Sequence, residues 1–179
     1  MAFFDNEHKK EIERIEGLWA KLEELRDFAK QYGIDDIFQD NGAKVVQQLI
    51  YLYLNALPGR EGNDATSRRN PTIEWEMKSI NLDTTASGFS TNHHLNTEIL
   101  QKYRRVPWSF AIYHGITLEA IYVMNARDLE PYFQKWEEKL RTQKDINNPK
   151  INVNFVRENG TMIYPIHEEN PIDPDSIFD

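Results

Sequence analysis

Residues 72–78, TIEWEMK, give the clearest short signal for the fold of this chain. Polar and apolar residues alternate along them, and successive side chains of a β-strand point to opposite faces of the sheet. A strand here would place Glu74, Glu76 and Lys78 on one face. Trp75 and Met77 would lie on the other. We therefore predict a strand with a buried side and a charged side.

Helices and strands are predicted to alternate along the rest of the chain. Spacings of three and four between apolar residues, cap residues and turn residues predict helices over residues 6–32, 43–57, 95–103 and 128–141. Apolar runs predict strands over residues 108–113, 117–124, 151–156 and 161–164. The predicted fold class is α/β, with a mixed central sheet flanked by helices.

Length and charge suggest one domain followed by an acidic tail. The chain has 179 residues, of which 40% are hydrophobic, so one core can form. The formal net charge is −8, which argues against nucleic acid as a partner. However, five acidic residues and no Lys or Arg fall within residues 165–179. We predict a domain over residues 1–164 and an acidic, proline-containing tail over residues 165–179, disordered or loosely docked.

Composition also limits the chemistry and the location. The chain has no cysteine, so a metal ion would need oxygen or imidazole ligands. We find neither a secretory signal nor a run of the roughly 20 apolar residues that span a membrane. The expectation is a cytoplasmic protein with no membrane partner.

The predicted strand carries part of a pattern with metal-dependent chemistry. Asp64, Glu76 and Lys78 form the spacing D-x11-E-x-K. Hydrolysis of a phosphodiester requires charge neutralisation at the phosphate and an activated water molecule, and carboxylates with Mg²⁺ and a lysine can supply both. The pattern alone is weak, because such residues also occur on solvated strand faces.

Longer blocks of sequence around this pattern are more specific than the pattern itself. They are DIFQDNG (36–42), LPGREGND (57–64), EMKSIN (76–81), GFST (88–91), HH (93–94), KYR (102–104), VPW (106–108) and KDINNPKI (144–151). Through them the chain resembles the PvuII-type family of restriction endonucleases, in the PD-(D/E)xK superfamily, from about Trp19 to Tyr164. The resemblance implies a restriction-endonuclease-like core, a prokaryotic source and type II cleavage of DNA.

The same resemblance implies roles for the catalytic residues. Asp64 and Glu76 would hold Mg²⁺, with the Met77 carbonyl as a possible third ligand and Glu61 near a second metal site. Lys78 would position or deprotonate the attacking water. Tyr103 would approach the scissile phosphate, although a helical aromatic residue is more often part of the core.

Two loops and one further residue would contact the DNA bases. His and Asn present directional donors and acceptors to base edges. The resemblance assigns this role to Ser90, Asn92, His93, His94, Asn147 and Asn148, and it places Asp40 at the minor groove. Asn92 departs from the family pattern, which has a third consecutive histidine here, and an Asn offers a different set of donors and acceptors.

The resemblance also implies partners and a target. The protein would act as a homodimer on double-stranded DNA and would cut the palindrome CAGCTG, or a close relative, to blunt ends. A DNA methyltransferase would act on the same site. The first helix could form the dimer seam or face the core, and the sequence leaves both open. The alternative functions are a DNA-binding protein that does not cut and an acidic protein-interaction module.

Overall fold

The computed structural model describes residues 6–57, 63–84, 86–167, 169 and 172–178. The chain forms two structural units, Met1–Gln47 and Gln48–Asp179. The predicted division into a domain over residues 1–164 and a tail over residues 165–179 stays a prediction. Among the described residues, no helix is both long enough and apolar enough to span a bilayer.

The first unit is dominated by the helix α1 (Asn6–Lys30), which confirms the first predicted helix. Gly33 follows it with φ of 76°, a conformation that favours glycine and ends the helix. A small core forms from Ala29, Ile37 and Val46. Ala29 is the buried residue of α1, so most of the predicted apolar stripe on this helix is exposed to solvent.

The helix α2 (Gly42–Tyr51) ends earlier than the predicted range of residues 43–57. Tyr53 has φ of 56°, which a right-handed helix does not tolerate, and the chain then enters the strand β1 (Leu54–Ala56). Pairing of β1 with the next strand supplies backbone hydrogen bonds that a longer helix would have supplied instead. The end of the predicted helix was therefore wrong.

The second unit contains the predicted mixed sheet. Its strands are β1, β2 (Ala65–Ser67), β3 (Glu74–Asn81), β5 (Trp108–His114), β6 (Thr117–Met124) and β8 (Thr161–Tyr164), in the order β1-β2-β3-β5-β6-β8. The strands β3 and β5 run parallel, and the other neighbours pair antiparallel. The α/β fold class is confirmed, as are the predicted strands that became β3, β5, β6 and β8.

A smaller sheet joins β4 (Gly88–Ser90) and β7 (Lys150–Asn152) in antiparallel register. The remaining helices are α3 (Thr97–Tyr103), α4 (Glu130–Leu140) and α5 (Val153–Asn159). Phe89 of β4 packs edge-on against Phe110 of β5, with ring centroids 4.9 Å apart. This contact fixes the small sheet against the main core.

The strand predicted over residues 151–156 was wrong beyond its first two residues, because α5 starts at Val153. The Asn152 side chain accepts hydrogen bonds from Asn154 N at 2.8 Å and Phe155 N at 3.4 Å. Such an N-cap satisfies amides that a helix start leaves unpaired, so the cap outweighed the apolar run. Asn96 likewise caps α3, through Ile99 N at 2.9 Å.

Part of the acidic C-terminal segment is held against β2. Residues Pro174–Phe178 form a 3₁₀ turn, and Pro174 is buried. Asp175 accepts a hydrogen bond from Ser67 Oγ at 2.5 Å, and Asp173 forms an ion pair with Arg69. Specific polar contacts hold these described residues, and the expected disordered or loosely docked tail over residues 165–179 stays a prediction.

Candidate active site

The main sheet brings Asp64, Glu76 and Lys78 together. Glu76 and Lys78 lie two residues apart on β3, and Asp64 immediately precedes β2. Antiparallel pairing of β2 with β3 places Ala65 opposite Trp75. This pairing brings Asp64 close to Glu76 although the two are far apart in the sequence. In addition, Asp64 Oδ2 accepts a hydrogen bond from Met77 N at 2.7 Å. The pairing of two strands therefore forms the cluster.

Glu76 does not lie on a solvated strand face. Its side chain is only 3% exposed, whereas Glu74 on the same strand is exposed. Lys78 Nζ forms an ion pair with Glu76 Oε1 and lies 3.8 Å from Asp64 Oδ2. A buried carboxylate needs such a partner, because burial removes its hydration. The arrangement is a nearly enclosed ionic cluster.

Burial sets the protonation of this cluster. It raises the pKa of Glu76 to about 7, although Lys78 opposes that shift. Burial alone lowers the pKa of Lys78, but the carboxylates of Glu76 and Asp64 raise it by more, so that it lies above its ordinary value. Lys78 is therefore a cation held between two carboxyl groups.

The donor set fits a hard divalent cation. Glu76 Oε2 is buried and has no hydrogen-bond partner, so this oxygen is available to a cation. Within the described ranges, no group of three or more His, Asp or Glu side chains could hold a metal ion. Mg²⁺ is often held by one or two carboxylates with water and substrate phosphate, and Asp64 and Glu76 supply that number. Glu61 lies outside the described residues.

These residues line a cleft of about 570 Å³. Tyr103, the last residue of α3, is buried at the wall of the cleft. Its ring packs edge-on against Trp108, with ring centroids 4.6 Å apart. Burial raises the pKa of Tyr103 well above its ordinary value, and the carboxylates of Glu76 and Asp64 raise it further. Tyr103 is thus a neutral hydrogen-bonding group in the cleft.

The predicted base contacts come mainly from two adjacent loops. The histidine loop (residues 90–94) begins at Ser90, the exposed last residue of β4, and the asparagine loop (residues 145–149) precedes β7. Thr91 N donates to Pro149 O at 3.1 Å, and Asn148 N donates to Asn92 O at 3.0 Å. His93, His94 and Asn147 are exposed, whereas Asn92 and Asn148 are half-buried. The loops form one surface, and Asn92 and His94 also line the cleft.

Asp40 belongs to the first structural unit. It is exposed and adopts φ 49° and ψ 32°, a left-handed conformation that Asp tolerates better than most residues. Gly42, two residues later, cannot be replaced without displacement, since a Cβ there would clash with the backbone oxygen of Asp36. The backbone of this turn therefore presents Asp40 to solvent.

Several lining residues were missed by the sequence interpretation. They are Asn63, Asn96, Glu98 and Ile99. Asn63 donates a hydrogen bond to Glu74. Glu98 Oε1 forms an ion pair at 3.4 Å with Lys102 Nζ, and Lys102 also lines the cleft. Proximity to Asp64 could have drawn attention to Asn63. The α3 residues carried no such signal, because their approach to β3 depends on tertiary packing.

Comparison with known protein families supports the resemblance. A family model described as "Restriction endonuclease PvuII" matches residues 10–164. The matched range includes the carboxylate and lysine cluster, both loops and Asp40. The chain therefore belongs to the PvuII family of restriction endonucleases, which are site-specific deoxyribonucleases acting on double-stranded DNA.

Proposed function

We propose that this protein is a Mg²⁺-dependent type II endonuclease that cuts both strands of CAGCTG, or a close relative, to blunt ends. The observation that carries the proposal is the buried carboxylate of Glu76 with an unpartnered oxygen, beside Asp64 and Lys78 in one cleft. Restriction endonucleases of this family generally use a divalent metal. The prokaryotic cytoplasm is the expected setting.

Asp64 and Glu76 would hold the cation, with the Met77 carbonyl as a further ligand. The bound cation would neutralise charge on the scissile phosphate and lower the pKa of water. Lys78 would direct its ammonium group at the attacking water and at the charge that develops on phosphate oxygens. Tyr103 would donate a hydrogen bond near the same phosphate. Burial excludes competing water from these contacts.

The two loops would read the target from the major groove. His93 and His94 suit the guanine acceptors, and Asn147 and Asn148 suit the paired donor and acceptor of adenine. Ser90 can contact either a base or a phosphate. Asp40 would accept a hydrogen bond from the guanine amino group, the donor that the minor groove presents. A methyltransferase that modifies the same site would protect the host DNA.

We also propose a homodimer built on the first unit. Exposed large apolar residues recur along α1 at Ile15, Leu18, Trp19, Leu25 and Phe28. Trp19 stacks on Phe38, which is 67% exposed, at 6.3 Å between ring centroids. A stripe of this kind usually contacts a partner. A two-fold dimer would also match the symmetry of a palindrome.

A Leu18→Glu substitution is expected to dissociate this dimer, because it buries a charge in an apolar seam. Light scattering should give twice 21.1 kDa for the wild type and 21.1 kDa for the variant. Ile116→Glu is the matched control, since Ile116 is 90% exposed on the turn between β5 and β6. Equal masses for Leu18→Glu and the wild type would show that α1 does not form the dimer interface.

Digestion of a sequenced plasmid tests the proposed activity. We expect discrete fragments with Mg²⁺, none with excess chelator, and ends that map to the centre of one palindrome. Pretreatment of the plasmid with a methyltransferase specific for that palindrome should protect it. Intact plasmid with Mg²⁺, while a commercial nuclease cuts it in the same buffer, would reject the activity. Staggered ends, or cleavage at another palindrome, would contradict the proposed target and cut position but would still agree with a type II endonuclease.

A further inference from the structure

A second groove adjoins the catalytic cleft, and we call it the flanking groove. It has a volume of about 550 Å³. Most of its lining comes from two parts of the chain, residues 72–74, where β3 begins, and the turn between α3 and β5. Asn63 and Lys102 line both the flanking groove and the catalytic cleft, so the two cavities share a wall.

The backbone connects the flanking groove to the proposed metal ligands. Asn63 directly precedes Asp64 in the chain. Pro107, which also lines the groove, accepts a hydrogen bond from Glu76 N through its backbone oxygen at 3.0 Å. A phosphate held at Asp64 and Glu76 would therefore lie beside this groove. Phosphates along one DNA strand repeat about every 3.4 Å of helix axis, so a strand that reaches the cleft also crosses the adjoining surface.

Lys102 and Arg105 give the flanking groove its positive charge. Arg105 N donates a hydrogen bond to Lys102 O at 3.0 Å, so both residues belong to the turn that ends α3. Arg105 is exposed, and among the residues that the structure describes no carboxylate pairs with it. Arg104 differs, because Glu130 and Glu137 hold its guanidinium group. Arg105 is therefore the arginine of this turn that is available to an anion.

The nearby carboxylates leave this positive charge accessible. Glu98 pairs with Lys102 at 3.4 Å, but the two side chains are 79% and 49% exposed. Exposed pairs of this kind contribute little and are screened by salt. Glu74 lines the groove and accepts a hydrogen bond from Asn63. Lys102 can therefore exchange Glu98 for a phosphate at small cost, and Arg105 has no ion pair to give up.

We propose that the flanking groove binds a backbone phosphate of the cleaved strand, within about two nucleotides of the scissile phosphate, through Arg105 and Lys102. This inference rests on the proposed function. The planar guanidinium group of Arg105 suits two parallel hydrogen bonds to phosphate oxygens, and Lys102 adds a second cation. Such contacts fix the position of the strand and carry no base information. The two loops would select the sequence, and the flanking groove would hold the strand against the metal ligands.

The salt dependence of DNA binding, measured in chelator, tests the role of Arg105. Arg105→Gln should weaken binding about three- to tenfold and reduce the slope of log affinity against log salt by about one, for the target duplex and an unrelated duplex alike. Arg105→Lys keeps the charge and should keep the slope. Arg127→Gln is the matched control, because Arg127 is 75% exposed and lines neither cavity. An unchanged slope for Arg105→Gln, or a loss confined to the target duplex, would overturn the proposal.

Neutral methylphosphonate linkages locate the bound phosphate. One linkage is introduced at a time, at the central phosphate of CAGCTG and at its neighbours on either side. The wild type should lose affinity at one neighbouring position, where Arg105→Gln should lose little more. Equal losses for both proteins at every position would overturn the assignment. Both measurements use binding without metal, so they decide the groove separately from cleavage. A wild type that binds the duplex but leaves it intact with Mg²⁺ would reject the proposed function alone.

Discussion

Replacing Lys78 with alanine is expected to slow single-turnover DNA cleavage by about 10²–10³-fold, the usual cost of removing one preorganised electrostatic group. Lys78 is 14% exposed and contacts both carboxylates of the cluster, so solvent cannot supply an equivalent cation. Binding of the target duplex in chelator should change little, because the proposed base contacts lie in the two loops. The measurement is a quenched-flow or gel-based time course with enzyme in excess.

A stability control must accompany this variant. Removing one partner of a buried ion pair costs about 3–5 kcal/mol unless the remaining group neutralises. Lys78→Met retains most of the side-chain volume and should show the same rate loss with a smaller packing defect. Lys135→Ala, on the exposed face of α4, should cut at the wild-type rate. Cleavage at the wild-type rate by both Lys78 variants would show that Lys78 does not take part in catalysis.

Glu76→Gln should abolish binding of divalent cations at this cleft. The substitution keeps the shape of the side chain but removes the charge that would hold the ion. Isothermal titration of the DNA-free protein with Mn²⁺, which gives a larger signal than Mg²⁺, should lose the site that the wild type shows. Undiminished titration heat in the variant would place the cation elsewhere.

The same variant should alter the dependence of stability on pH. Burial raises the pKa of Glu76 from 4.5 to about 7, so between these values the metal-free folded state binds more protons than the unfolded state. Stability from this group is therefore greatest below pH 4.5, falls as pH rises, and is lowest above about 7. Urea unfolding of Glu76→Gln should lack this part of the decline. Identical pH profiles for both proteins would contradict the burial argument.

The sequence predicted the local structure of the cluster better than its environment. Alternation in residues 72–78 was enough to place Glu76 and Lys78 side by side on a strand. It could not show how the rest of the chain packs around that strand, so Glu76 was expected on a charged face and is instead buried. The approach of Asp64 depends on pairing between β2 and β3, a non-local contact that a residue pattern does not specify.

The proposed base contacts illustrate the same limit. The resemblance identified the residues of both loops, but their proximity depends on pairing of β4 with β7, and neither strand was predicted with its observed bounds. In α5, one capping residue, Asn152, decided between helix and strand where the apolar pattern fits both. Local sequence patterns predict secondary structure reliably when one face of the element is buried. They fail when a capping residue or pairing with a distant strand determines the structure.

We propose the cleft that contains Asp64, Glu76 and Lys78 as the catalytic centre. Its most direct test is single-turnover digestion, with Mg²⁺, of one end-labelled duplex carrying the target, by the wild type, Glu76→Gln and the exposed control Glu138→Gln. We expect discrete products from the wild type and the control, and intact DNA with Glu76→Gln although all three bind the duplex. Cleavage by Glu76→Gln at the wild-type rate and position would contradict it.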